Sequence, residues 1–212
     1  MREYERRVTS QFGEDGIIEY LINTVGVTNK IAVEIGTGTS KENNTHNLLD
    51  KGWRVFWFDL LKNDVRHDQL VSTVATVTST NVVELFDQQK IPSDFDLLSI
   101  DIDGNDYHVR KALAAYKPRI IVMEYNGAYD KDTEYVMPLD DSYRWRGDVR
   151  FNASLKSLQL LNDSLGYDLV YCTSQGVNAF FLRKDINPIG PKTCNDVYRK
   201  LFWYKGQPIT NK

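Results

Sequence analysis

Two cysteines, Cys172 and Cys194, are too few for a disulfide framework in a chain of 212 residues. Their spacing matches no metal motif, and two thiols suit a reducing compartment. Long hydrophobic runs are also missing. The longest, such as 120–123, fall far short of the roughly 18 residues that a membrane-spanning helix needs, so no membrane partner is expected. The opening segment, MREYERRVTSQFGEDG, lacks the apolar stretch of a secretory signal, and a cytoplasmic location is the expectation. Neither sign of charge dominates: 26 Lys+Arg stand against 29 Asp+Glu, a net charge of −3. Such a chain carries no general field toward nucleic acid or anionic lipid, so no dedicated nucleic-acid surface is expected. Repeats, low-complexity tracts and Ser/Gly-rich linkers are absent, which points to a single domain over 1–212.

What is present is ordinary globular material. Hydrophobic residues make up 42% of the chain, enough at this length for one large core. Residues 14–25 place Ile17, Ile18, Leu21 and Ile22 at helical spacing behind two acidic residues, as a helix N-terminus favours. Short β-rich runs follow at 31–35, 53–60, 70–77, 95–102 and 119–125, with helical stretches at 44–51, 81–89 and 107–115 between them. Alternation of this kind predicts a parallel sheet with helices on both faces. Residues 151–165 read as a further helix, and 167–172 and 176–183 as two more strands. Only Thr173, Ser174 and Gln175 separate that last pair, too few for a parallel crossover, so the pair is a hairpin. The expected fold is therefore α/β: a Rossmann-like, doubly wound, mostly parallel sheet of about seven strands closed by a C-terminal antiparallel hairpin. Residues 1–30 form an N-terminal helical cover, and 187–212 an irregular tail with one short helix.

In an open α/β sheet, ligands bind beyond the carboxyl ends of the strands. The first strand runs into Glu34-Ile35-Gly36-Thr37-Gly38. Glycines let the backbone turn tightly there and approach a ligand; the plain alternative is a strand-to-helix turn. The third glycine of a dinucleotide fingerprint is missing, and no phosphate-binding Gly-Lys-Ser/Thr follows. Asp59 ends the second strand, where a carboxylate can accept both ribose hydroxyls of a nucleoside. A ribose grip without phosphate grips points to S-adenosylmethionine. The fourth strand ends in Asp101-Ile102-Asp103-Gly104-Asn105-Asp106-Tyr107-His108. Alternation puts Asp101 and Asp103 on one side. With Glu124 from the next strand end they form a candidate site for Mg²⁺, which takes hard oxygen ligands. The alternative is a capped turn, with Asp103 or Asn105 accepting N–H groups of the next helix. His108 is a candidate general base, or a histidine paired with a carboxylate. Arg144, Arg146 and Arg150 interleave with Trp145 and could bind an anion, although a solvated loop is the default for such a run.

The blocks Ser10-Gln11-Phe12-Gly13-Glu14-Asp15-Gly16, Val33-Glu34-Ile35-Gly36-Thr37-Gly38, Asn44-Thr45 and Ser99-Ile100-Asp101-Ile102-Asp103-Gly104-Asn105-Asp106-Tyr107 resemble FkbM-type S-adenosylmethionine-dependent methyltransferases. They resemble a methyltransferase-like branch of that superfamily more closely, as do Glu124-Tyr125-Asn126, Ala153-Ser154-Leu155-Lys156 and 176–181. The resemblance runs from about Ser10 to Asp185. It implies that Glu34, Gly36 and Gly38 line the methionine side of the cofactor, that Asp59 holds the ribose, and that Thr78 and Asn81 border the adenine. It further implies that Asp101 faces the methionine end and that Gln11 lies over the pocket mouth. The chain departs from the wider family around Asp103, where many members place a Glu-Gly pair.

The leading expectation is an enzyme, an S-adenosylmethionine-dependent O-methyltransferase acting on a small-molecule or glycan hydroxyl. Asp103, His108 or Glu124 would take the proton or position a metal. Two alternatives stand beside it. One is a metal-dependent glycosyltransferase using the Asp101-x-Asp103 pair; the other is a non-catalytic methyltransferase-like binding module.

Overall fold

The computed structural model describes residues 1–147 and 149–201, and the backbone of 203, 204, 207 and 208. Seven strands make one sheet: β1 (Ile31–Ile35), β2 (Arg54–Asp59), β3 (Leu70–Val74), β4 (Leu97–Ile100), β5 (Ile120–Glu124), β6 (Tyr167–Cys172) and β7 (Asn178–Arg183). Their order is β3-β2-β1-β4-β5-β7-β6. β1 lies parallel to β2 and β4, β2 to β3, and β4 to β5. β7 runs antiparallel to both β5 and β6. The fold is the expected doubly wound, mostly parallel sheet with a closing hairpin. The order adds that the hairpin's second strand enters first, between β5 and β6.

Among the described residues, six α-helices cover the two faces: α1 (Glu14–Val25), α2 (His46–Leu49), α3 (Val82–Gln88), α4 (Asp106–Ala112), α5 (Leu155–Ser164) and α6 (Cys194–Val197). Alternate strand residues divide between two cores, as the period of two requires. Val33, Ile35, Phe56, Phe58, Leu98 and Ile100 face α3, α4, α5 and α6. Ala32, Val55, Trp57, Leu97, Ile120 and Val122 face α1 and α2. α1 buries Ile17, Ile18 and Leu21 and ends at Gly26, whose N–H bonds the Ile22 carbonyl at a φ of 73°, the left-handed stop that glycine permits.

Several boundaries are tighter than the sequence suggests. β3 ends at Val74 rather than 77, and α5 starts at Leu155 rather than 151. Ser154 is extended and its side chain accepts the Ser157 N–H, a helix N-cap, while Asn152 lies in the left-handed region at φ 52°. The hairpin turn is longer than expected: Gly176, at φ 77°, belongs to the turn, and β7 begins at Asn178.

Before α1, residues 5–13 form an irregular strap. Asp15 accepts the N–H groups of Val8, Thr9 and Ser10 at 2.8, 2.9 and 2.7 Å. Glu5 reaches the hairpin turn, accepting from the Tyr171 hydroxyl at 2.8 Å and the Ser174 N–H at 2.7 Å. A Cβ on Gly16 would lie 1.9 Å from the Tyr4 carbonyl oxygen, so only glycine lets the strap cross the helix here. Gln11 and Phe12 are thereby held at the carboxyl edge of the sheet. At the other terminus, α6 is the expected short helix, and β8 (Trp203–Tyr204) and β9 (Gln207–Pro208) pair antiparallel. The rest of the expected irregular tail, residues 202, 205, 206 and 209–212, lies outside the described residues. Among the described residues, no helix is long and apolar enough to cross a membrane.

Candidate active site at the carboxyl edge of the sheet

From β1 the chain winds outward to β2 and β3, then returns across β1 to β4. Reversal of strand order leaves a crevice between the connections that leave β1 and β4 in opposite directions. A cleft of about 1030 Å³ opens there. One half is walled by the segments after β1, β2 and β3. The other is walled by those after β4 and β5, the hairpin turn and a loop spanning 126–153.

In the first half, Gly36, Thr37 and Gly38 line the cleft. Gly36 sits at φ 90°, and a Cβ on it would fall 1.6 Å from the Asp101 carbonyl oxygen. Its close approach is therefore to the backbone leaving β4. Gly38, at φ 51°, meets nothing within 4 Å of its absent Cβ and gives its N–H to Asp59 Oδ2 at 2.7 Å. Asp59 Oδ1 accepts from the Leu61 N–H at 2.6 Å, so the carboxylate is fixed at the cleft wall with lone pairs remaining. The Thr37 hydroxyl is buried and, among the described residues, has no hydrogen-bond partner, a costly arrangement.

Three residues expected here sit behind the wall instead. Glu34 does not line the cleft. It is buried against α2, where its carboxylate accepts from Asn44 N, Thr45 N and the Thr45 hydroxyl at 2.8, 3.0 and 2.5 Å. Trp57 Nε1 donates to that same hydroxyl at 2.8 Å. Burial raises the Glu34 carboxyl to about 7. Thr78 and Asn81 also leave the wall, because they bond each other in the turn into α3: Thr78 N donates to Asn81 Oδ1 at 2.8 Å, and Asn81 Nδ2 holds the Thr76 carbonyl at 2.9 Å. Ala75, Thr76 and Val77 form that wall. Glu34, expected to line the methionine side, and Thr78 and Asn81, expected to border the adenine, thus stand behind the cleft wall rather than in it.

In the second half, Asp101, Asp103 and Glu124 converge, each offering a carboxylate oxygen within 4.8 Å of the others. Asp103 lies at φ 58°, a conformation Asp tolerates better than most residues. Burial, then Asp103, Asp106, Glu34 and Glu14, push the Asp101 carboxyl well up. Burial and then Asp101, Asp103 and Asp106 do the same to Glu124, opposed by a hydrogen bond from Asn152. Asp103 is raised by burial and by Asp59. The charge-dense set favours a proton, a cation or N–H donors, and its hard oxygens are the donor type that Mg²⁺ takes.

The capped turn is built differently from expectation. Asn105 stands at the N-cap of α4 without a side-chain cap, and its amide instead bonds the Asp140 carbonyl at 2.8 Å. Asp106 accepts from Ile102 N and Gly104 N at 3.1 and 3.0 Å, and burial raises it to about 6. His108 does not line the cleft. Its Nε2 lies 2.8 Å from the Met137 carbonyl, so the ring tethers the 126–153 loop, and the expected general base is corrected to a loop anchor.

That loop supplies further side chains, of which the sequence had marked only Arg144 and Trp145. Asp141, Tyr143, Arg144, Trp145 and Phe151 line the cleft, whereas Arg146 and Arg150 do not. The Trp145 and Phe151 rings meet edge to face with centroids 6.0 Å apart. Gly104 admits the Tyr143 ring, since a Cβ would sit 2.7 Å from its Cδ1. At the loop's base, Asn126 Nδ2 bonds the Val149 and Phe151 carbonyls at 2.6 and 2.9 Å. Asn152 Nδ2 bonds the Glu124 carbonyl at 3.1 Å. Buried asparagines at both ends of a 28-residue excursion were the readable signal, but only the fold shows which way the loop turns.

A glycine turn facing a strand-end aspartate at the switch point defines a ligand-binding, doubly wound α/β domain. A family model, the methyltransferase FkbM domain, matches residues 17–169. The chain belongs to that family. Among solved structures, magnesium protoporphyrin IX methyltransferase from Synechocystis PCC 6803 with bound SAM is similar at a TM-score of 0.49 and 10% identity, over 80% of this chain and 77% of the other. The 1,6-didemethyltoxoflavin-N1-methyltransferase of Burkholderia thailandensis, with its substrate and S-adenosylhomocysteine bound, is similar at 0.48 and 12% identity, over 80% and 76%. No curated protein matches the chain in sequence.

Proposed function

We propose that this protein is an S-adenosylmethionine-dependent methyltransferase acting on a hydroxyl of a small molecule or glycan. The observation that carries the reading is the Gly36–Gly38 turn locked to Asp59 at the wall of the cleft. The donor chemistry fits the cofactor: a strand-end carboxylate suits ribose hydroxyls, and an acid-rich cleft suits ammonium and sulfonium charge. Gly36, Gly38, Asp59 and Asp101 would hold it, with Ala75 to Val77 against the base and Gln11 and Phe12 over the mouth. When bound, the cofactor supplies an electrophilic methyl group.

The chain's own work is to orient the acceptor and take its proton. Glu124, buried, and Asp103, exposed, line the second half and are the groups available to do so, and burial raises both carboxyls above the ordinary range, the direction that makes a carboxylate a better base. Orientation of the acceptor oxygen contributes several kcal/mol, about 7 at the low end of measured effective molarities. The same carboxylates with Asp101 would hold Mg²⁺ if the hydroxyl needs acidifying. Family membership argues against the glycosyltransferase alternative.

Calorimetry with S-adenosylhomocysteine tests the reading. Micromolar binding that weakens in Asp59→Ala is expected. No heat at millimolar ligand would sink it.

A further inference from the structure

We propose that the C-terminal strap, residues 198–201, is the specificity-determining wall in the second half of the cleft, and that it receives an apolar ring or chain carried by the acceptor. The inference rests on the methyltransferase reading and adds the chemistry of the acceptor's body and the segment that selects it.

Close backbone packing builds this strap onto the carboxyl edge of the sheet. After α6 the chain crosses Gly127 and Gly176. A Cβ on Gly176 would lie 2.5 Å from the Lys200 carbonyl oxygen. One on Gly127 would lie 2.4 Å from the Gly176 carbonyl oxygen and 2.9 Å from Leu201 N. These neighbours are backbone atoms, so no side chain fits between the strap, the hairpin turn and the chain leaving β5. Hydrogen bonds fix the strap along its length. The Tyr198 hydroxyl and Leu201 N both donate to the Gly127 carbonyl at 3.0 Å. The buried Tyr125 hydroxyl donates to the Arg199 carbonyl at 2.7 Å and accepts from Arg199 N at 3.3 Å.

Leu201 is thereby delivered to the cleft, whose lining it joins. It arrives among other apolar residues. Gly176 precedes Val177, which also lines the cleft. Gly127 follows Asn126, whose amide holds the Phe151 carbonyl at 2.9 Å, and Phe151 meets the Trp145 ring edge to face. Trp145 is still 38% exposed. Loop, hairpin turn and strap thus contribute Trp145, Phe151, Val177 and Leu201 to an apolar wall, whereas Asp103 and Glu124 come from the ends of β4 and β5.

An acceptor that presents its hydroxyl to the strand ends would lay its remaining body on this wall. Apolar surface in a concave site gains from an apolar occupant, and a body made only of hydroxyls would lose water there without replacement. The cleft of about 1030 Å³ stands at the upper end of the roughly 300–1,000 Å³ usual for one small-molecule site, which leaves room for an acceptor beside the cofactor. Val177 and Leu201 lie beyond the residues 17–169 matched by the family model, on connecting segments, where one scaffold acquires different specificities.

The test is calorimetry on the full chain saturated with S-adenosylhomocysteine, using two pairs of probes: phenyl β-glucoside with methyl β-glucoside, and 2-phenylethanol with ethanol. Within each pair the hydroxyls match and the apolar body differs. At least one aromatic member should bind about tenfold or more tighter than its partner, the worth of burying one large apolar group. Leu201→Ala should cut that ratio about threefold or more while S-adenosylhomocysteine affinity stays unchanged. Leu201→Met, close to leucine in volume, should keep the ratio. Leu201→Val reads the same loss in smaller measure if Leu201→Ala does not fold. Equal binding within both pairs would overturn the inference, as would silence from both aromatic members at millimolar concentration. A Leu201→Ala protein that keeps the full ratio would reduce the strap to a structural clasp and overturn it too. Failure of S-adenosylhomocysteine itself to bind removes the cofactor reading and this inference together. Its binding without an apolar preference removes this one alone.

Discussion

Gly36→Ala is the sharpest test of how the site is built. The new methyl would need the space of the Asp101 carbonyl oxygen, 1.6 Å away, at a backbone φ of 90°. Neither partner is a flexible side chain, so β1 and β4 must separate at their carboxyl ends. Moving Gly36 strains two backbone bonds, Asp101 N to Ile35 O between β4 and β1 and Gly36 N to Phe58 O between β1 and β2, both 2.9 Å. Leaving each buried donor unmet costs about 1–3 kcal/mol, and forcing alanine into the left-handed region adds about 1–2. The sum, roughly 3–8 kcal/mol, compares with a total stability of about 5–15. Gly36→Ala should therefore be largely unfolded or melt far below the parent. Gly38→Ala is the internal control: its Cβ meets nothing within 4 Å, so it should cost only the conformational term, about 1–2 kcal/mol. Urea unfolding followed by tryptophan fluorescence measures both. Equal losses in the two variants, or a Gly36→Ala protein within about 1 kcal/mol of the parent, would refute the reasoning, because strain alone would then explain everything.

Acidification should stabilise the ligand-free protein between pH 8 and 5.5. Glu34 is raised to about 7 and Asp106 to about 6 by burial; a raised folded value contributes stability fully present below the unfolded value and lost as pH rises through the folded one, roughly 2 kcal/mol for Glu34 between pH 5.5 and 8. A melting temperature that falls steadily from pH 8 to 5.5 contradicts this. Asp59→Ala should weaken S-adenosylhomocysteine by about 10- to 100-fold, the worth of charge-assisted bonds, read by calorimetry; an unaltered affinity removes Asp59 from the binding site. Gly16→Ala should release the strap, since its Cβ would strike the Tyr4 carbonyl. Limited proteolysis should then cut within 1–13 while the sheet survives, and a protected N-terminus would show that the strap does not depend on that crossing. Trp57→Phe removes the bond to Thr45 that steadies the Glu34 cluster and should cost about 1–3 kcal/mol in urea unfolding. A loss below about 0.5 kcal/mol would mean the indole N–H contributes nothing.

Chain direction made much of this protein readable before folding. In a parallel sheet every strand delivers its last residues to one edge, so Gly36, Gly38, Asp59, Asp101, Asp103 and Glu124 were locatable from strand ends alone, and all six line the cleft. Local pattern also marked the apolar faces, because a period of two divides Val33 from Ala32 and Phe56 from Val55 wherever the strand lies. Depth and partnership were not local properties. Glu34 stands two residues from Gly36, yet α2 folds back and fills its carboxylate, which no spacing reveals. Thr78 and Asn81 satisfy each other, and His108 is claimed by a carbonyl 29 residues away. The insertion of β7 between β5 and β6 and the swing of the 126–153 loop over the cleft are likewise long-range events. Periodicity and strand polarity are set by neighbours in the chain, whereas hydrogen-bond satisfaction is set by neighbours in space. Only the folded sheet could show which carboxylates were already filled and which face the cleft.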